Sequence, residues 1–175
     1  MLILLTGGAG CGKSAYAEEI CMRAPGPRWY LAAMRPWGEE GRARVERHRR
    51  LRAGKGFVTI ERYTDYASLR LPAAGGTALL ECVGNLTANE MFDGTGAWTD
   101  PAERVLAGVE GLAAQCGLLA AVTNEVGADG VCYDEGTEAY IRALGRINAA
   151  LAARADTVVE LVAGIPILWK GALPL

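Results

Sequence analysis

The chain has 175 residues, 18 basic and 20 acidic side chains, a formal charge of −2, and is 51% hydrophobic. That length suits one domain over 1–175, burying roughly 70% of its unfolded surface, and the near-neutral charge supplies no field for nucleic acid or an anionic membrane. Five scattered cysteines without a C-x-x-C pair, and only one histidine, leave no zinc framework and read as reduced thiols in the cytoplasm.

In chain order, Met1 to Thr6 is a short apolar run, too short for a membrane span and without the basic flank of a signal peptide. It reads as a strand. A glycine loop follows, and then Ala15 to Met22 reads as a helix. Arg28 to Ala32 is a second strand, and after a turn at Pro36-Trp37-Gly38 the polar stretch Glu39 to Leu51 reads as a helix. Phe57 to Glu61 alternates as a strand does. Thr77 to Cys82 reads as a buried strand, Asn85 to Phe92 as a short helix, and Asp93 to Thr99 as a glycine-rich loop. Asp100, with Pro101 at the first helical position, starts a helix to about Cys116. Leu118 to Thr123 is another apolar run. Thr137 is the expected cap of a helix to Arg154, with Tyr140, Ile141, Leu144, Ile147 and Leu151 on one face. Val158 to Val162 and Ile165 to Trp169 flank Gly164 as a closing hairpin. Alternating strands and helices predict a mainly parallel α/β sheet.

Gly7, Gly12, Lys13 and Ser14 fit G-x-x-x-x-G-K-[ST], between a strand and a helix as a phosphate loop requires. Glycines at Gly7, Gly8, Gly10 and Gly12, with the small Ala9 and Cys11, let successive N–H groups face one concavity that holds phosphate oxygens. Lys13 brings a mobile cation to the outer phosphates, and the Ser14 hydroxyl suits Mg²⁺.

In such a sheet, ligands bind beyond the carboxyl ends of the strands. Glu81 closes the strand Ala78-Leu79-Leu80 and reads as a Mg²⁺ ligand, direct or through water, or else as a helix cap or solvated side chain. Glu125 follows the strand ending at Thr123, on the same edge, with the same alternatives. His48 lies in Arg42 to Arg52, which holds six arginines in eleven residues. On a helix Arg44, His48 and Arg52 share a face. Spacing alone reads first as a solvated basic helix with an incidental histidine. Guanidiniums beside the ring would also disfavour its protonation, keep it nucleophilic and clamp a triphosphate, so a phosphoramidate at His48 is chemically reasonable. No aromatic platform accompanies the basic run, which argues against RNA.

Taken together, Thr6 to Ala9 leading into Gly12-Lys13-Ser14, Arg44-Val45-x-x-His48 with Arg52, Leu80-Glu81-Cys82 with Asn89, and Val122-Thr123-Asn124-Glu125-Val126-Gly127 resemble the bifunctional adenosylcobinamide kinase/adenosylcobinamide-phosphate guanylyltransferases. Gly145-x-x-Asn148, Ala155-Asp156 and Ala163-Gly164-Ile165 extend the likeness through the last third. The resemblance implies a P-loop NTPase-like, RecA-like sheet flanked by helices, a cytoplasmic homotrimer, and two reactions of cobalamin assembly. ATP or GTP, with Mg²⁺, phosphorylates adenosylcobinamide. GTP then guanylylates a histidine, here His48, which passes GMP to adenosylcobinamide phosphate. The resemblance further implies nucleotide contacts at Gly7 to Ser14, Arg52, Glu61 and Glu81, a catalytic part for Lys13 and Glu81, and metal contacts at Ser14 and Glu81. The chain departs from the family at Gly10-Cys11, where Arg-Ser is common, after Arg52, where a proline is expected, and from Ala128 to Arg142. Two rival readings are a small-molecule P-loop kinase without the transferase step and a nucleotide-binding regulatory module.

Overall fold

The computed structural model describes residues 1–36, 38–92, 98–127 and 129–173, without the side chains of Glu40, Arg44 and Leu51. The turn position Trp37, positions 93–97 of the glycine-rich loop expected over Asp93 to Thr99, Ala128 and the face assigned to the Arg44 side chain therefore lie outside the described residues.

Seven strands form one sheet in the order β3-β2-β4-β5-β1-β6-β7. They are β1 (Leu2–Thr6), β2 (Arg28–Ala32), β3 (Phe57–Glu61), β4 (Thr77–Leu80), β5 (Leu118–Val122), β6 (Thr157–Val162) and β7 (Ile165–Lys170). All neighbouring pairs are parallel except β6 with β7, so the mainly parallel sheet and the C-terminal hairpin around Gly164 are both as expected. β4 and β5 are buried along their whole length, as near-continuous apolar runs in a sheet covered on both faces should be.

The helices divide between the faces. α1 (Lys13–Arg23) packs Ala17, Ile20 and Cys21 on Ile3, Leu5 and Leu79. α3 (Val83–Met91), α4 (Ala102–Gln115) and α5 (Glu135–Arg154) cover the other face, with Leu86, Val109, Leu112, Leu144 and Ile147 fully buried on Leu4, Leu80 and Leu119. α2 (Gly38–Arg52) has too few apolar residues for such a stripe. It is held by polar contacts along β2 and β3. A 3₁₀ turn at Tyr66–Ser68, unannounced by any pattern, packs its buried tyrosine against Gly108 of α4.

Two caps differ from expectation. α5 is capped by Asp134, which accepts the Thr137 amide at 3.0 Å, while the Thr137 hydroxyl donates back to its carboxylate at 2.6 Å. Aspartate accepts more strongly than a threonine hydroxyl, and Thr137 becomes its partner three residues on. Pro101 is the N-cap of α4 rather than its first helical residue, with Asp100 accepting the Ala102 amide at 3.0 Å.

The strand order fixes where a ligand goes. The chain leaves β1 toward α1 on one face, whereas β4 and β5 leave toward α3 and across to α5 on the other. Adjacent connections that diverge open a crevice between them at the carboxyl ends of the strands. Loop residues 9–12 form one lip of that crevice, and Glu81, Cys82 and Asn124 form the other.

Candidate active site

Gly7 and Gly12 are where the phosphate loop needs glycine. At Gly7 φ is +132°, and a Cβ would stand 2.5 Å from the Leu161 carbonyl oxygen. At Gly12, the N-cap of α1, φ is +101°. The loop is also tied to the β6–β7 turn, where the Gly164 amide donates to the Cys11 carbonyl at 2.9 Å. Lys13 is buried, and its ammonium donates to the carbonyls of Gly7 at 2.8 Å and Gly8 at 2.6 Å, with the Cys11 thiol 3.6 Å away. A phosphate oxygen is a better acceptor than either carbonyl. Ser14 is exposed at the start of α1, where backbone N–H groups favour an anion.

Ala9 to Ser14, Arg47, His48, Glu81 and Asn124 line one cleft of about 520 Å³. The structure thus brings the phosphate loop, the histidine and the strand-end carboxylate together. His48 Nδ1 lies 3.2 Å from Glu81 Oε1, with the carboxylate almost covered and the ring half-buried. This alters the sequence-based picture of an imidazole surrounded by guanidiniums, since its close charged partner is a carboxylate. Arg49 pairs with Glu61, and Arg52 stacks its guanidinium 3.4 Å from the centre of the Tyr30 ring. An arginine on helical spacing shares a face with His48, but its long stem carries the charge to whichever acceptor or ring lies beside it.

Glu81 is held from several sides. The Met34 amide donates to Oε2 at 3.4 Å, and Asn89 fixes the preceding Ala33 by donating to its carbonyl at 2.8 Å. Burial pushes the Glu81 carboxyl up. Hydrogen bonds from His48 and Tyr30, the His48 charge and the Met34 amide outweigh burial and hold it below the ordinary carboxylate value. The same arrangement raises the Tyr30 phenol, through burial first and Glu81 second.

Arg52 and Glu61 do not line the phosphate cleft. With Tyr30, Arg49 and Thr59 they line a neighbouring cavity of about 390 Å³, and Met34, His48 and Glu81 form the wall common to both. Arg52 is buried, and its Nε has no hydrogen-bond partner among the described residues. Glu125 departs from the expected position. Asn124 reaches the cleft, but Glu125 lines a third cavity beside α5. Arg142 and Arg146, one turn apart, pair with Glu138 and Asp100 instead of a shared anion. Sequence reasoning missed Tyr30, Met34, Arg47 and Asn85. Of these only Tyr30, a polar-tipped ring inside an apolar strand, carried a signal.

Among the described residues no group of three or more His, Cys, Asp or Glu could hold a metal unaided. One hydroxyl at Ser14 and one carboxylate at Glu81 suit Mg²⁺, which takes few protein ligands and completes its shell with water and substrate phosphates.

A glycine loop after a central strand of a parallel sheet, closing on a buried lysine, places the chain among the P-loop nucleotide-binding proteins. The family model described as cobinamide kinase / cobinamide phosphate guanyltransferase matches residues 3–168, and the chain belongs to that family. It is 34% identical to the bifunctional adenosylcobalamin biosynthesis protein CobU of Escherichia coli, over 97% of this chain and 100% of that protein. The CobU of Salmonella typhimurium gives the same identity and coverage. The corresponding CobP of Pseudomonas aeruginosa is 31% identical over 96% of each chain. The protein is accordingly a bifunctional kinase and guanylyltransferase of cobalamin biosynthesis.

Proposed function

We propose that both reactions use the one phosphate cleft, with His48 as the covalent carrier of GMP. In the first, the hydroxyl of the aminopropanol arm of adenosylcobinamide attacks the γ-phosphorus of ATP or GTP, and the nucleoside diphosphate leaves. Main-chain amides of Gly8 to Ser14 position the phosphates, and Lys13 neutralises charge that builds on them. In the second, His48 Nε2 attacks the α-phosphorus of GTP, a P–N bond forms, the bond to the bridging oxygen breaks, and pyrophosphate leaves. A phosphate oxygen of adenosylcobinamide phosphate then attacks the same phosphorus, the P–N bond breaks, and the histidine is regenerated.

The Glu81–His48 contact carries this reading. A carboxylate accepting from Nδ1–H fixes the tautomer in which Nε2 presents its lone pair. As Nε2 bonds to phosphorus the ring becomes cationic, so the buried carboxylate stabilises charge that develops during the step. Mg²⁺, held by Ser14 and by Glu81 directly or through water, would supply charge neutralisation on the phosphates. The cavity beyond His48 suits the guanine base by size. There Glu61 can accept from the N1–H and N2–H₂ edge, and Arg52, braced on Tyr30, offers a flat cationic surface.

The chain also reads as a cytoplasmic homo-oligomer. Its five cysteines are unpaired, no described helix is long and apolar enough to cross a membrane, and β7 exposes Ile165, Ile167, Leu168 and Trp169 at a sheet edge, an arrangement that favours pairing with another chain.

The test is incubation with Mg²⁺ and GTP labelled at the α-phosphate, followed by denaturing electrophoresis. Wild type retains acid-labile label and His48→Asn does not. Label retained by His48→Asn would refute the assignment. A kinase lacking the transferase step, or a regulatory module, would show no label in wild type.

A further inference from the structure

Two motifs remain to which the reading above assigns no step: Thr123-Asn124-Glu125-Val126-Gly127, and Gly145-x-x-Asn148 on α5. The fold brings them face to face. The Thr123 hydroxyl donates to Asn148 Oδ1 at 2.7 Å, and Asn148 Nδ2 donates to the Asn124 carbonyl at 3.2 Å. Gly127, at φ +79°, passes so close to α5 that a Cβ would stand 2.8 Å from Ile141. Between the segments lies a cavity of about 460 Å³, lined by Thr6, Asn124, Glu125, Val126, Gly145 and Asn148 among others. Thr6 directly precedes the phosphate loop, and Asn124 lines both this cavity and the phosphate cleft. The Asn124 amide nitrogen donates to the Cys82 thiol at 3.5 Å, a weak acceptor that a substrate oxygen would displace.

We propose that this cavity is the acceptor site, where the hydroxyl-bearing arm of the corrinoid enters on the α5 side and meets the γ-phosphate past Asn124. The inference rests on the kinase reading above. Three observations support it. The cavity suits an amide-linked arm and is too small for a whole corrin, which stays outside. Its walls mix apolar surface at Val126 and Ile141 with carboxamide and hydroxyl groups, matching a carbon chain that carries amide and alcohol. It joins the phosphate cleft from the face opposite α1, so donor and acceptor approach without competing for space. Glu125 is the carboxylate lining the cavity among the described residues. It accepts the hydroxyl proton as the new P–O bond forms and the bond to the β-phosphate oxygen breaks.

Gly145 provides the test, because a Cβ there meets nothing within 4 Å and a side chain improves the helix. Gly145→Leu should raise the KM for adenosylcobinamide in the kinase reaction by at least about tenfold and weaken its calorimetric binding without nucleotide equally. The rate of His48 guanylylation from GTP alone should stay within about twofold. Gly111→Leu, at an equally open position on α4, controls for the helix change. Glu125→Gln should lower kcat for phosphorylation more than it changes KM. An unchanged corrinoid KM and affinity in Gly145→Leu would overturn the proposal, as would a change of subunit number in that variant, which would give the cavity to a second copy. Absence of label from wild type with GTP alone would defeat the histidine reading and leave the corrinoid measurements to decide the cavity independently.

Discussion

Replacing Glu81 by glutamine separates an orienting carboxylate from a mere neighbour. Glutamine keeps the volume and can still accept from His48 Nδ1, so the ring stays in place, but the negative charge is lost. The contact is 3.2 Å long, with 9% of the glutamate side chain and 28% of the histidine side chain exposed. A hydrogen bond to a charged group contributes about 1.5–3 kcal/mol. In the proposed step the ring becomes cationic as the P–N bond forms, so most of that contribution appears in the transition state. At ~1.4 kcal/mol per factor of ten, Glu81→Gln should slow guanylylation of His48 by roughly 10- to 150-fold. Single-turnover quenching with α-labelled GTP measures this step apart from pyrophosphate release. GTP affinity, read by competition with a fluorescent analogue, should change far less. Cobinamide phosphorylation should also fall less, because His48 takes no part in it. A guanylylation rate within twofold of wild type would refute the orienting role. Equal losses in both reactions, reversed by excess Mg²⁺, would instead assign Glu81 wholly to the metal.

Lys13→Ala should depress phosphorylation and guanylylation together by roughly 10²- to 10³-fold, and normal guanylylation in that variant would contradict a shared phosphate loop. Alkylation of Cys11, which lines the cleft beside Lys13, should be slowed by GTP with Mg²⁺, as peptide mass spectrometry over time would show; equal rates would place the thiol outside the bound phosphates. The Glu81 carboxyl titrates below its ordinary value of 4.5 in the folded protein. Its contribution to stability is therefore present above that value and lost as pH falls through the lower folded value. Urea midpoints of wild type and Glu81→Gln should differ at neutral pH and converge in acid, and a constant difference would remove the charge from the account. Ile165→Lys with Trp169→Lys on β7 should reduce the particle mass measured by light scattering, and an unchanged mass would move the interface elsewhere.

The fold was legible because its signals are local and periodic. Buried parallel strands such as β1 and β5 read as unbroken apolar runs, and strand–loop–helix order marked the phosphate loop. The site was only half legible. Glu81 could be placed at a strand end, since that follows from counting residues. Its contact with His48 joins positions 33 residues apart across two elements, which no spacing rule records. The arginines misled for a related reason. Their helical face was readable, but Arg52 ends on Tyr30 and Arg49 on Glu61, choices made by the neighbouring strands. Asp134 displaced Thr137 as the cap of α5 because both residues satisfy the capping pattern and only the backbone geometry selects between them.

Under the proposed reading, strand order gives a single cleft the width for two transfers. β5 stands between β1, which carries the phosphate loop, and β4, which carries Glu81. Neighbouring strands lie about 4.8 Å apart, so this insertion sets the carboxylate roughly two strand spacings from the loop. Had Glu81 followed the adjacent strand, it would stand against the phosphates with no room for a ring. With β5 between them there is width for the imidazole of α2 at the α-phosphate end, and for Asn124, at the end of the inserted strand, to divide the cleft from the cavity by α5. Chemistry at the α-phosphorus and chemistry at the γ-phosphorus can then be served from opposite ends of one gripped triphosphate. In the proposed reactions the nucleophile differs, His48 in one case and a corrinoid hydroxyl in the other, while the phosphate-holding loop is common to both. Lys13 variants should therefore disable both activities, whereas variants of His48 and of Gly145 should each impair one.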